Sequence, residues 1–215
     1  AKANKKLQEL YDLEGSDKMQ ILNLLTRLRQ LCLEPRLVYD NIDQPSSKLK
    51  ACMELIKTMQ ENKQKVLLFS SFTSVLDLIA EECQKAGITY YMLTGSTNKE
   101  DRRELVSRFQ KDDTTLFLIS LKAGGTGLNL TSAEVVIHFD PWWNVSAQNQ
   151  ATDRAYRIGQ KNNVQVFNLV MKDSVEEKII ELQKRKKELA DMFVENNSGG
   201  LSQMSKEDIL SLFTM

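Results

Sequence analysis

Two arginines spaced three residues apart are the clearest candidates for chemistry in the sequence. Arg154 and Arg157 lie in the segment 150–160, QATDRAYRIGQ, and this spacing puts them on one face of a helix. Asp153 is the one acidic residue close enough in sequence to neutralise them. A guanidinium keeps its charge, and its planar fork donates two hydrogen bonds to a phosphate. The pair therefore indicates an anionic partner, while a solvated surface face stays open as the alternative.

A glycine-rich segment, 120–130 (SLKAGGTGLNL), directly follows a predicted strand. Its glycines permit positive φ angles and close approach of the backbone to another molecule, and successive N–H groups in such a turn suit phosphate oxygens. The segment matches neither GxxxxGK[ST] nor GxGxxG. The residues alone leave a phosphate-contacting loop and a plain tight turn at the sheet edge equally open.

The third candidate is Asp-Pro-Trp-Trp-Asn at 140–144, again at the end of a predicted strand. Ligands of open α/β sheets bind beyond the carboxyl ends of the strands. The adjacent rings of Trp142 and Trp143 can stack on sugars or bases. The alternative is that at least one of them fills the hydrophobic core.

A parallel sheet is the element that must position these segments. Short apolar or β-branched runs alternate with helical stretches of about 10–15 residues, which is typical of βαβ units with helices on both faces of the sheet. The runs are 66–69, 88–93, 115–119, 135–139 and 164–170. The pattern predicts an α/β fold with a parallel sheet.

Helices are predicted before, between and after the strands of this sheet. The N-terminal third has helical spacing of its apolar residues, interrupted at Pro35. A capping box at 97–100 predicts a helix that ends near Gln110, and another at 174–177 opens a long charged helix to about Asn196.

Composition narrows the class of protein further. The 215 residues include 29 Lys+Arg, 29 Asp+Glu, one His and three Cys, with 41% hydrophobic residues, so a globular domain is expected and disorder is not. His138 lies in a predicted strand and is expected to be structural, and the sequence predicts no metal site. No apolar run is long enough to span a membrane. The zero net charge leaves room for a local cationic groove.

Together the three segments resemble a known set of motifs. Segment 120–130 resembles motif V and segment 150–160 motif VI of the Swi/Snf-type ATPases in helicase superfamily two, and 140–144 resembles the Asp-Pro-Trp-Trp-Asn segment between them. Further stretches resemble other parts of the same family's sequence pattern, namely 28–32, 47–49, 66–72, 93–96 and 102–103. Departures are Glu34, Val145 and Tyr156, which stand where many members have His, Pro and His. The chain thus resembles the C-terminal RecA-like helicase lobe of that family, with the three-layer α/β/α fold and mainly parallel sheet of such lobes.

This resemblance implies the second motor lobe of an ATP-dependent translocase or remodeller of double-stranded DNA. Arg154 and Arg157 would be arginine fingers that reach an ATP site between two lobes. The first lobe would hold Mg²⁺, and its Walker A motif and acidic box are not recognised in this sequence. We therefore expect a second lobe alone, inactive in ATP hydrolysis, whose partners are double-stranded DNA and the first lobe of the same parent chain. A DNA-bound protein, such as RNA polymerase or a nucleosome, is a further expected partner, in a bacterial nucleoid or a eukaryotic nucleus.

The resemblance also implies individual contacts and a division of the chain. The nucleotide would be contacted by Gly125, Gly127, Asn129, Gln150 and Asp153. The DNA would be contacted by Ser71, Thr94, Lys122, Ala123, Gly124, Thr126, Trp142 and Trp143. Residues 1–46 would be a helical section leading from the first lobe, 47–173 the lobe itself, and 174–215 a brace helix and a short terminal helix.

Two other classes of function remain open on the sequence. One is a RecA-like module that binds nucleic acid or a partner without taking part in hydrolysis. The other is a nucleotide-sugar enzyme with a similar sheet. Arg154 and Arg157 favour the motor lobe over a binding module, and no acid/base pair beside a nucleotide loop supports the sugar enzyme.

Overall fold

The computed structural model describes residues 15–124, 128–142, 144–156 and 163–195. The helices there are α1 (Gly15–Leu33), α2 (Ser47–Glu61), α3 (Thr73–Lys85), α4 (Lys99–Lys111), α5 (Leu121–Gly124), α6 (Val145–Thr152) and α7 (Val175–Glu195). The strands are β1 (Val66–Ser70), β2 (Tyr90–Leu93), β3 (Leu116–Ser120), β4 (Val135–His138) and β5 (Gln165–Asn168). They form one sheet in the order β2-β3-β1-β4-β5, and every neighbouring pair is parallel.

The sheet is covered on both faces, which confirms the predicted three-layer α/β/α fold. Along β1, Val66 and Leu68 pack into a core cluster with α2 and α3. The alternate residues Leu67 and Phe69 pack into a second cluster with α4, α5 and α6. Because β1, β3 and β4 are buried on both sides, their sequences read as continuous apolar runs.

Two predicted strands are shorter in the structure than their apolar runs by two or more residues. Ile88 is buried, but its N–H donates to the carbonyl of Cys83 at 2.9 Å and closes the end of α3 instead of entering the sheet. Gly87, with a φ of +67°, makes that helix end possible. The edge strand β5 covers four residues of the predicted 164–170, and three of these four are exposed.

Side-chain caps fix the helix starts, and one differs from the prediction. The Oδ1 of Asn98 accepts from the N–H of Asp101 at 2.8 Å, so Asn98 is the N-cap of α4. The predicted capping box placed Thr97 in that role and was wrong. The hydroxyl of Thr97 instead accepts from the N–H of Thr94 at 3.1 Å and closes the preceding turn.

The flanking helices pack onto the domain and onto each other. Helices α1 and α7 are in contact. A buried ion pair with 2.6 Å between Lys48 Nζ and Glu176 Oε1 joins α2 to the first turn of α7. Burial lowers the pKa of Lys48, and the charge of Glu176 opposes this shift. The predicted short helix at 205–213 lies outside the described residues, and no helix within them is long and apolar enough to cross a membrane.

Candidate nucleotide and nucleic-acid interface

The candidate residues lie together at the carboxyl ends of the strands, because they follow neighbouring parallel strands. Ser71 follows β1, Lys122 follows β3 and Trp142 follows β4. Helix α3, after β1, packs on one face, whereas α5 and α6, after β3 and β4, pack on the other. Such a change of side opens a crevice at the carboxyl end of the central strand, where ligands of α/β sheets bind.

Asp140 occupies this crevice with a buried carboxylate. Its Oδ1 accepts from the hydroxyl of Ser70 at 2.7 Å and from the N–H of Ser71 at 3.0 Å. Its Oδ2 accepts from Nη2 of Arg29 at 2.9 Å and from the hydroxyl of Ser71. The negative charge is thus compensated inside the protein, as a buried carboxylate requires.

Arg29 reaches the crevice from α1 and contacts both of its walls. Its Nη2 also donates to the carbonyl of Pro141 at 3.3 Å. The guanidinium carbon lies 4.9 Å from the ring centroid of Phe72 and 5.7 Å from that of Trp142, within the range of cation–π attraction. Sequence reasoning did not assign Arg29 a role; the one signal was its place in the family-like stretch 28–32.

The two hydroxyl residues expected on DNA are both engaged within the protein. The hydroxyl of Ser71 gives its single hydrogen to Asp140 and accepts from Arg29 at 3.0 Å. The Oγ1 of Thr94 lies 2.8 Å from the Oγ of Ser96. Their contacts with DNA phosphates stay predictions.

The glycine-rich segment begins as the short helix α5. Lys122 is exposed there, whereas Ala123 and Gly124 are buried. A Cβ on Gly124 would lie 3.0 Å from Cε1 of Phe69, so a side chain here would force the buried ring to shift; the φ of Gly124 is not positive. Gly125, Thr126 and Gly127 lie outside the described residues.

Trp142 is held by side chains from two helices. The backbone N–H of Trp142 donates to Oε1 of Gln148 on α6 at 3.2 Å. Its backbone carbonyl accepts from Nε2 of Gln183 on α7. The Nε2 of Gln148 donates to Oδ1 of Asn168 at 2.9 Å. Trp142 is half-buried and packs against the core cluster on the α4 side, so part of its ring serves packing, and stacking on sugars or bases stays a prediction. Trp143 lies outside the described residues.

Arg154 lies in the turn that follows α6, not on the face of a helix. Its N–H donates to the carbonyl of Ala151, three residues earlier, at 3.2 Å, and its carbonyl accepts from the N–H of Leu130 at 3.0 Å. Because α6 ends at Thr152, the expectation that Arg154 lies on a helix was wrong. Arg154 is 3% exposed, so the alternative of a solvated surface arginine was wrong for this residue too. Arg157 lies outside the described residues.

The remaining residues predicted to contact nucleotide are on the surface. Gln150, Asp153 and Asn129 are exposed, and their amide or carboxylate groups are suited to hydrogen bonding with the hydroxyls of a nucleotide. The carbonyl of Asn129 accepts from Nε2 of Gln110 at 2.7 Å, which fixes the backbone there. In the part of the chain that the structure describes, no cluster of three His, Cys, Asp or Glu side chains could hold a metal ion.

His138 contacts the end of α6 from the neighbouring strand β4. Its Nε2 lies 2.9 Å from Oγ1 of Thr152, at the last residue of α6, and its ring stacks on Phe69 with 5.6 Å between centroids. Burial lowers the pKa of His138 to about 4, so the imidazole is neutral at pH 7. The residue thus fixes the end of α6 just before Arg154, in the structural role expected of it.

This fold, with the candidate residues at the carboxyl ends of β1, β3 and β4, is that of a helicase C-terminal domain. Residues 47–159 match the family of the helicase conserved C-terminal domain, and the chain belongs to that family. It is 38% identical to an uncharacterized ATP-dependent helicase of Mycoplasma pneumoniae over 96% of this chain and 20% of the relative. It is 35% identical to the ISWI chromatin-remodeling complex ATPase ISW1 of Saccharomyces cerevisiae, over 91% of this chain and 19% of the relative. The chain thus spans about a fifth of the length of these relatives.

Solved structures agree with this assignment. The Sulfolobus solfataricus SWI2/SNF2 ATPase core in complex with dsDNA is 30% identical, with a TM-score of 0.70, over 98% of this chain and 45% of that one. The C-terminal domain of the same ATPase is 28% identical, with a TM-score of 0.68, over 93% of this chain and 83% of that one. The predicted resemblance to the C-terminal lobe of Swi/Snf-type ATPases is confirmed.

Proposed function

We propose that the chain is the second motor lobe of an ATP-dependent translocase or remodeller of double-stranded DNA. The observation that carries the proposal is the 3.0 Å hydrogen bond from the N–H of Leu130 to the carbonyl of Arg154. It joins the end of the glycine-rich segment, which carries proposed contacts to both DNA and nucleotide, to the arginine segment. This contact would couple a displacement of the arginine segment to the residues proposed to contact DNA, as a motor that uses both ligands requires.

Arg154 and Arg157 are the proposed arginine fingers at an ATP site shared with a first lobe of the same parent chain. Bound ATP supplies the γ-phosphoryl group that is transferred to water. A guanidinium stabilises the charge that develops on that group, which is worth about 10³–10⁵ in rate in related phosphoryl-transfer enzymes. The exposed side chains of Gln150 and Asp153 and the segment around Asn129 would hold the nucleotide, with Gly125 and Gly127. Mg²⁺ would be held by the first lobe.

The DNA surface would follow the carboxyl ends of β1, β3 and β4, and phosphate contacts there would permit movement along any sequence. Its proposed residues are Ser71, Thr94, Lys122, Ala123, Gly124, Thr126, Trp142 and Trp143. The proposed division into 1–46, 47–173 and 174–215 makes α1 the link from the first lobe and α7 the brace. A nucleosome or another DNA-bound protein would be the object moved, in a nucleus or a bacterial nucleoid.

The decisive measurement is DNA-stimulated ATP turnover of the full-length parent with Arg157→Ala. We expect kcat to fall by about 10³-fold or more with little change in KM, because a finger acts on transition-state charge. Arg154→Ala should have the same effect; because Arg154 is buried, its thermal unfolding must be measured as well. Arg27→Ala, at an exposed position of α1, is the matched control.

Near-normal turnover of Arg157→Ala would contradict the proposal and favour a non-catalytic binding module. The isolated 215-residue chain should hydrolyse no ATP, with or without duplex DNA. Robust DNA-stimulated turnover by the purified chain would contradict the assignment of the phosphate and Mg²⁺ sites to another lobe.

A further inference from the structure

A cavity of about 620 Å³ lies between α4 and the segment that follows α5. None of its described wall residues contacts Asp140, whereas Asn129 precedes Leu130, the residue bonded to the carbonyl of Arg154. The cavity walls are formed by Thr97, Lys99, Arg102, Arg103, Val106, Ser107, Leu128 and Asn129. Of the wall residues that the structure describes, three are cations and none is a carboxylate.

The charges of α4 are sorted between two faces of the helix. Lys99, Arg103 and Ser107 follow one another at four-residue spacing, which aligns them along the cavity. The carboxylates Asp101 and Glu104 line a different depression, where Glu104 pairs with Arg108. Glu100, the third carboxylate of the helix, is exposed and lines neither depression, and no ion pair joins it to Lys99 or Arg103 among the described residues.

The three cations at the cavity differ in burial and in hydrogen bonding. Arg102 is half-buried, and its Nη1 donates to the carbonyl of Ala123 at 3.2 Å, which anchors α4 to α5. Lys99 and Arg103 are exposed, and neither forms an ion pair with any residue that the structure describes. Since the whole chain has zero net charge, the positive potential here is a local property of this surface.

We propose that this cavity binds the phosphodiester backbone of DNA through Lys99 and Arg103. The guanidinium of Arg103 can hold one phosphate through two parallel hydrogen bonds, and the ammonium of Lys99 acts as a point charge on a neighbouring phosphate. The side chain of Ser107 supplies a neutral donor at the same wall. The inference rests on the proposed function and extends its DNA surface to Lys99 and Arg103, which were not among the DNA contacts expected from the sequence.

The position of the cavity fits a continuous path for one strand. Helix α4 follows β2, and β2 is the neighbour of β3, whose carboxyl end leads to Lys122. The cavity therefore adjoins the surface expected to meet DNA through Thr94 and Lys122. A phosphate backbone that leaves Lys122 towards this edge of the sheet meets Lys99 and Arg103 next.

The test is the salt dependence of duplex binding by the 215-residue chain and two double variants. Each phosphate contact contributes about −0.9 to the slope of log K against log salt, so Lys99→Ala/Arg103→Ala should make the slope shallower by about 1.8. Lys50→Ala/Lys57→Ala removes the same charge from exposed positions of α2, on the opposite face of the sheet, and should change the slope little. Amide chemical shifts on titration with the duplex should change at residues 97–107 and 129.

Each outcome decides the assignment. Equal loss of slope in both double variants would mean a net-charge effect and would overturn it, as would shift changes confined to residues outside the cavity. Shift changes at the cavity with ATP or inorganic pyrophosphate but none with the duplex would assign it to a free nucleotide instead. A normal slope in Lys99→Ala/Arg103→Ala overturns this inference alone, because the proposed function is tested separately by the turnover of Arg157→Ala.

Discussion

The Nη2 of Arg29 lies 2.9 Å from Oδ2 of Asp140, although 111 residues separate the two in the chain. Both side chains are buried, with 8% and 1% of their surface exposed. The contact joins α1, which precedes the domain, to the crevice between β1 and β4. Because the same guanidinium faces the ring of Trp142, α1 is part of the framework that holds the loop after β4.

Replacing Arg29 by alanine should lower the free energy of unfolding by about 3–5 kcal/mol, since it leaves the carboxylate of Asp140 buried without its cation. Urea denaturation of the 215-residue chain measures this. Arg27→Ala, on an exposed position of the same helix, should stay within about 0.5 kcal/mol of the parent sequence.

A double-mutant cycle with Arg29→Met and Asp140→Asn tests whether the loss comes from the pair itself. The amide oxygen introduced by Asp140→Asn can still accept from Ser70 and from the N–H of Ser71, the two bonds made by Oδ1 of the native carboxylate. The double variant should therefore be more stable than the sum of the single changes predicts. Additive losses would mean that Arg29 stabilises the fold by packing alone.

Gly124→Ala should destabilise the domain by about 1–3 kcal/mol, because the new Cβ would lie 3.0 Å from the buried ring of Phe69 and overpack the core. Gly95→Ala is the matched control, since a Cβ there meets nothing within 4 Å and its φ is not positive. The control should be neutral or stabilising by a few tenths of a kcal/mol up to about 1 kcal/mol. Thermal unfolding of both variants checks the difference, and equal destabilisation would refute the packing role of Gly124.

Acidification should weaken the fold through His138. Its pKa of about 4 in the folded protein lies below the unfolded value of 6.5, so the unfolded chain binds the proton more tightly between these values. Stability therefore falls as the pH drops through this window, by about 2 kcal/mol between pH 7 and pH 5 for this group. His138→Gln should remove that part of the pH dependence and leave the part due to carboxylates. Unfolding free energies at pH 7 and pH 5 test it, and an unchanged slope in the variant would contradict the buried neutral imidazole.

The sequence predicts the sheet well because a strand buried on both faces needs an unbroken apolar run, as in 66–69. It predicts the ends of elements less well, since these depend on single hydrogen bonds such as that of Ile88 to the end of α3. The turn at Arg154 was missed for a similar reason: its carbonyl bonds to Leu130, a partner that no local pattern indicates. The sequence near Arg29 and near Asp140 does not indicate that the two side chains meet, because neither residue has a charged partner at helical or strand spacing. Family resemblance supplied the candidate motifs, and only the fold shows which of their residues are already engaged.

Lys122→Ala should weaken the binding of every DNA duplex by about the same factor. The side chain is exposed on α5, next to the buried Ala123 and Gly124, so its removal leaves the core intact. A phosphate contact reads no base, and losing one should make the salt slope shallower by about 0.9. Fluorescence anisotropy with two unrelated duplexes over a salt series measures both effects, and Lys57→Ala on the opposite face is the control. A loss of affinity for one duplex only, or binding that salt does not change, would contradict a backbone contact and indicate a module that reads sequence.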